Sequence, residues 1–223
     1  MLANRPGPGS THDAPLRLSV LDLIPVRSGQ TTADALQATL RLARVAEASG
    51  MHRYWVAEYH NMAAVASTNP PVLIALLAAA TSTLRIGSGG VMLPNHAPLV
   101  VAEQFALLEA AYPGRIDLGI GRAPGSDPVT SFALRHNGPQ TADPHRFDEV
   151  VDNVLAMLEP DGVGLQLQGR SYPLRATPQA TATPAVWLLG SSDYSARLAA
   201  AKGLPYVFAH HFSGEGTAEI LDL

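Results

Sequence analysis

The chain has 223 residues, with 15 Lys and Arg against 19 Asp and Glu, a net charge of −4, 47% hydrophobic residues and no cysteine. That is enough apolar material for one sizeable core in a single domain. The lack of cysteine excludes disulfides, thiolate nucleophiles and cysteine metal sites, and an acidic balance with no Lys/Arg block argues against a nucleic-acid surface.

Residues 1–15 are rich in Pro, Gly, Asn and Ser and carry no apolar stretch. They read as a disordered tail rather than a signal peptide, and residues 16–223 as one domain. No run is long enough to span a membrane, so a cytoplasmic location is expected. Leu16 to Leu23 is a first strand, and Thr31 or Thr32 caps a helix to about Ser49, stopped by Gly50. Tyr54 to Ala57 is the second strand. Asn69-Pro70-Pro71 opens a helix through Thr81, with proline in its first turn. Leu84 to Ser88 is the third strand and runs into Gly89-Gly90. Pro98 to Tyr112 is a helix, Ile116 to Ile120 the fourth strand, and Ser126 to Asp143 a loop placed to cover a pocket. A helix over Pro144 to Leu158 carries an apolar stripe. Gly162 to Leu174 reads as a hairpin outside the main sheet, Ala185 to Leu189 as the fifth strand, and Leu204 to Ala209 as the sixth, after a helix from Ser192 to Ala201. Residues 214–223 read as a helix that starts without a closing cap, which leads to the expectation of a chain truncated at its C-terminus.

Strand and helix alternate with short connections, which implies right-handed βαβ units and a parallel sheet, either open and doubly wound or part of a barrel. In such sheets ligands bind at the carboxyl ends of the strands. The candidates there are Glu58 and His60, Ser88, Gly89 and Gly90, Arg122, then Ser191, Ser192 and Ser195, and finally His210 and His211. A guanidinium with hydroxyls at a helix N-terminus describes an anion site, most simply for phosphate. A glycine edge beside it suits a flat ring. The plain alternatives are helix caps for Ser191 and Ser192, a surface ion pair for Arg122, and solvent-exposed positions for His96, His136 and His145. Glu103 and Glu109 read as helix-surface charges or a tie to a loop. His60, His210 and His211 lack carboxylate partners at ligand spacing, so no metal is expected.

The segments Trp55-Val56-Ala57-Glu58-Tyr59-His60-Asn61, Arg85 to Pro94, Ala102-Glu103-Gln104-Phe105 and Pro113 to Gly125 together resemble the bacterial luciferase-like flavin monooxygenases, in particular the MsnO type. The resemblance implies a (β/α)8 TIM-barrel fold, α/β in class, with about six of eight β/α units present. It implies reduced FMN, or coenzyme F420 in a side branch, at the C-terminal mouth, with a cis peptide at Gly89-Gly90 against the ring. The cofactor set would be Ser88, Gly89, Gly90, Arg122, Ser191, Ser192, Ser195 and His210. The implied reaction joins reduced FMN, O2 and a small organic substrate. The family's catalytic histidine position is Tyr59 here, so within Glu58-Tyr59-His60 the base role would pass to His60. A separate flavin reductase is implied because no Gly-x-Gly-x-x-Gly fingerprint is present, and a homodimer through helices 70–81 and 98–112. The alternative is a flavin-binding protein or inactive fragment without the chemistry.

Overall fold

The computed structural model describes residues 16–123, 127–135, 146–211 and Thr217. The expected tail 1–15, His136, His145, and all but Thr217 of the helix expected over 214–223 lie outside the described residues. The elements are β1 (Ser19–Asp22), α1 (Thr32–Ala48), β2 (Arg53–Val56), α2 (Pro70–Ala80), β3 (Arg85–Ser88), β4 (Val91–Met92), α3 (Pro98–Ala111), β5 (Ile116–Gly121), α4 (Pro128–Leu134), α5 (Phe147–Leu158), β6 (Val163–Leu167), β7 (Arg170–Leu174), β8 (Ala185–Gly190), α6 (Asp193–Lys202) and β9 (Tyr206–Phe208).

Local chemistry sets these boundaries. Thr31 and Asp34 exchange side-chain and backbone hydrogen bonds in a capping box at the start of α1. The Asn69 side chain accepts from the Val72 N–H, and prolines fill the next two positions of α2. Gly203, at φ 64°, closes α6 in the left-handed region open to glycine.

The sheet runs β1-β2-β3-β5-β8-β9, all parallel, with β4 joining β5 where β3 leaves it. It is curled, with the helices outside: a partial barrel of the expected TIM type, with β1 and β9 as its unpaired edges among the described residues. Tyr54, Val56, Ile86, Ile116, Leu118, Ile120 and Leu188 face outward and are buried with residues of α2, α3 and α5. The intervening residues face the concave side. The expected hairpin is β6–β7, antiparallel and off the main sheet.

Two elements differ from the reading of the sequence. Within the loop expected over Ser126 to Asp143, Asp127 accepts from the N–H groups of Val129 and Thr130 and starts the short helix α4. An Asp-Pro pair reads equally as a turn, which conceals the cap. The two-residue β4 is too short to leave a pattern. On the outer surface Val72 and Leu76 of α2, with Val100 and Leu107 of α3, are exposed apolar residues. No described helix is long and apolar enough to cross a membrane.

Candidate functional site

The concave side of the sheet holds a cavity of about 540 Å³, within the range of small-ligand sites. Leu21, Trp55, Trp187, Leu189 and Val207 give it apolar walls, and no carboxylate lines it among the described residues.

At its lower end Asp117 is fully buried. Its carboxylate accepts from Arg53 Nε at 2.9 Å, Arg85 Nη2 at 2.5 Å and Trp55 Nε1 at 3.0 Å. The Arg53 guanidinium sits 4.6 Å from the Trp187 ring, and Trp187 meets Trp55 edge-on at 5.6 Å. This network braces one wall of the cavity. It was invisible in the sequence, because its members are brought together only by strand pairing.

Above it the glycines let backbone take the place of side chains. A Cβ on Gly89 would lie 2.6 Å from Leu21 Cδ1 and 3.2 Å from Trp55, and one on Gly90 2.8 Å from the Gly119 carbonyl oxygen. Both glycines line the cavity, and the peptide between them is cis, as the resemblance implied. Ser88 does not reach the cavity. Its hydroxyl donates to the Gly119 carbonyl and accepts from the Gly119 N–H, each at 2.9 Å, because alternation along β3 points it outward.

The anion end is built by β5 and α6. Arg122 lines the cavity with its guanidinium 4.4 Å from the Tyr194 ring, in the first turn of α6. The surface ion pair weighed for it does not form among the described residues. Ser192 stands at the N-cap but its side chain makes no capping bond, so its hydroxyl does not occupy the first-turn N–H groups of α6. Ser191 and the buried Ser195 line the cavity, while Ser192 does not. Tyr206 fixes this turn by donating to the Gly190 carbonyl at 2.7 Å and the Ser192 carbonyl at 3.3 Å. A guanidinium beside helix-start amides favours an anion. The acidic residue of that turn, Asp193, is turned to Arg197 at 3.4 Å.

At the end of β2 the three expected catalytic residues part company. Tyr59 lines the cavity; burial pushes its phenol pKa up. His60, the expected base, is not a lining residue. Its Nε2 lies 2.8 Å from Glu58 Oε1. Glu58 is fully buried, and a second imidazole, His96 Nε2, lies 2.7 Å from the same oxygen, while the Met92 N–H donates to Oε2 at 2.9 Å. Burial alone would raise the Glu58 pKa; the donors from His60, His96 and Met92 outweigh it and hold the carboxyl below its usual range. His96 is therefore a partner of a buried carboxylate and not the solvent-exposed group expected. The carboxylate that His60 seemed to lack is Glu58, two residues away, and His210 and His211 do not join this cluster. His211 lines the cavity; His210 does not, its Nδ1 lying 3.0 Å from Thr217 Oγ1. Glu109 proves to be the loop tie, accepting from the Gly114 N–H.

The family model described as luciferase-like monooxygenase matches residues 16–223. A luciferase-like monooxygenase of Escherichia coli (strain K12) is 47% identical over 213 residues, covering 95% of this chain and 60% of its own length. The N-acetyl-S-alkylcysteine monooxygenase of Bacillus subtilis (strain 168) is 42% identical over 200 residues, covering 90% and 58%. The crystal structure of apo-MsnO8 superposes with a TM-score of 0.83 at 42% identity, covering 92% of this chain and 59% of that one. The chain thus spans about 60% of the length of the curated relatives it matches. With the family's segments in order along a partial barrel and its glycine edge at the cavity, the chain belongs to the luciferase-like monooxygenase family.

Proposed function

We propose that the chain carries the flavin site of an FMN-dependent monooxygenase that oxidises a small organic substrate with O2. One observation carries this reading. Arg122, the uncapped start of α6 with Ser191 and Ser195, and the side-chain-free edge at Gly89 and Gly90 all open into one cavity. Arg122 and the α6 amides suit the phosphate of FMN, and the glycine edge suits its ring. Reduced FMN would supply the electrons for oxygen activation. Leu21, Trp55, Trp187 and Leu189 exclude water from the space beside it. Tyr59 is the member of the Glu58–His60 segment that reaches that space, and its raised pKa keeps the phenol protonated and able to donate to an oxygen atom. Glu58 and His60 act behind it, holding the segment in place.

A separate reductase in the cytoplasm would supply the reduced flavin, and the exposed apolar residues of α2 and α3 would pair two copies into a homodimer. The test of the flavin site is a titration with FMN, oxidised and then anaerobically reduced, followed by flavin absorbance and fluorescence. Saturable binding is expected. Arg122→Ala weakens it by roughly ten- to a hundredfold, the range for a lost hydrogen bond to a charged group. A folded chain that binds no FMN, or binds it equally well without Arg122, overturns the assignment.

A further inference from the structure

We propose that Glu58, His60 and His96 form a binding site for a divalent transition metal of the zinc class, beside the cavity and separate from its anion end. The ligand set is two imidazoles and one carboxylate, a donor combination suited to such ions. The ligand atoms already converge: Nε2 of His60 and Nε2 of His96 lie 2.8 Å and 2.7 Å from a single oxygen, Glu58 Oε1. All three atoms lie within 4.8 Å of one another.

The cluster is built rather than incidental. Glu58 is fully buried at the end of β2, and its other oxygen is fixed by the Met92 N–H at 2.9 Å. That bond anchors the carboxylate without using Oε1. His60 and His96 have side chains 16% and 31% exposed, so an ion can enter from solvent and keep a water in a fourth position. An ionised carboxylate only accepts, so bonding to Oε1 without a metal requires each Nε2 to carry its hydrogen. Coordination needs each imidazole to carry its proton on Nδ1 instead. Zinc–nitrogen bonds near 2.0–2.1 Å place tetrahedral ligands about 3.3 Å apart, so the three side chains open by roughly half an ångström. Both histidines leave element ends, at the loop after β2 and the turn before α3, where such a shift is easily absorbed.

The proposal is independent of the flavin reading. The experiment is calorimetric titration of the chelator-stripped chain with ZnCl2, repeated with CoCl2 to read the visible absorption of a nitrogen- and oxygen-ligated ion. One equivalent is expected to bind in wild type, with thermal stabilisation. His60→Ala and His96→Ala each weaken binding at least tenfold, whereas His211→Ala leaves it unchanged. Circular dichroism confirms that each variant is folded, and Glu58→Gln is informative only where it is. A folded wild-type chain that binds no Zn2+ overturns the site. So does binding unchanged in both His60→Ala and His96→Ala, which would place the ion elsewhere.

Discussion

Replacing Asp117 by Asn removes one negative charge without changing the side chain's shape, so no cavity is created. In the native protein this carboxylate takes both Arg53 and Arg85, at 2.9 Å and 2.5 Å, and the Trp55 indole at 3.0 Å, while itself fully buried. The two arginine side chains are 19% and 25% exposed, so water can recover only part of their solvation. Breaking such a pair by removing one partner costs about 3–5 kcal/mol. The new amide also directs N–H at donors that expect an acceptor. With a urea m-value of about 3 kcal/mol per M, the unfolding midpoint falls by roughly 1 to 1.7 M. Tryptophan fluorescence is the natural probe, because the chain's two tryptophans, Trp55 and Trp187, both pack in this network. A loss below about 1 kcal/mol would show that the cluster behaves like a solvated surface pair, and the reasoning would fail.

Three further outcomes are expected. A Cβ on Gly119 would lie 2.1 Å from the Ser88 carbonyl oxygen, which is backbone and cannot swing away, whereas one on Gly121 would lie 3.5 Å from Met92 Sδ. Gly119→Ala should therefore lower the melting temperature sharply, by about 2 kcal/mol or more in stability, and Gly121→Ala should barely move it; equal melting curves would contradict this. Backbone N–H groups of Thr83, Leu84 and Ser82 hold the Glu47 carboxyl down to about 2 from 4.5. Its folded pKa is depressed, so its contribution is complete above pH 4.5 and is lost as pH falls from there through about 2. The stability gap between wild type and Glu47→Ala, about 1 kcal/mol at pH 7, should shrink below pH 4.5 and close only below pH 2, and a pH-independent gap would refute the assignment. Leu76→Asp should convert a dimer to monomer in sedimentation velocity at micromolar concentration. A wild-type chain that is already monomeric would dispose of the helix-face dimer.

The sequence made most of the order of strands and helices readable, because the longer strands of the main sheet are largely apolar and the helices between them start or stop at caps, prolines and glycines. It also pointed to Gly89, Gly90, Arg122, Ser191 and Ser195, all of which line the cavity. What it could not resolve was orientation. Alternation within a strand puts Ser88 outside while its neighbour Gly89 faces in. Past a strand's end no period applies, so the choice between Tyr59 and His60, or between His210 and His211, depends on the loop's path. The Arg53–Asp117–Arg85 network and the link from Glu58 to His96 join residues 32 to 64 apart in the chain, and their spacing carries no local signal.

The double hydrogen bond between Ser88 and Gly119 bears on how this mouth can change. Pairing of β3 with β5 reaches Gly87 opposite Asp117, and pairing resumes through β4 with Val91 opposite Ile120. The first chain spends four residues over that interval (87 to 91) and β5 only three (117 to 120), so one residue is surplus. The Ser88 hydroxyl serves both polar groups of Gly119, occupying the bonding position that a neighbouring strand's backbone would otherwise fill. The ladder along β5 is thereby kept whole where β3 leaves it, while the Gly89 N–H stays bonded to the Val56 carbonyl of β2 at 2.8 Å and holds the glycine segment over the cavity. The room there is for glycine alone: a Cβ on Gly90 would meet the Gly119 carbonyl oxygen of β5 at 2.8 Å, so a larger residue at this edge presses on the backbone of the neighbouring strand.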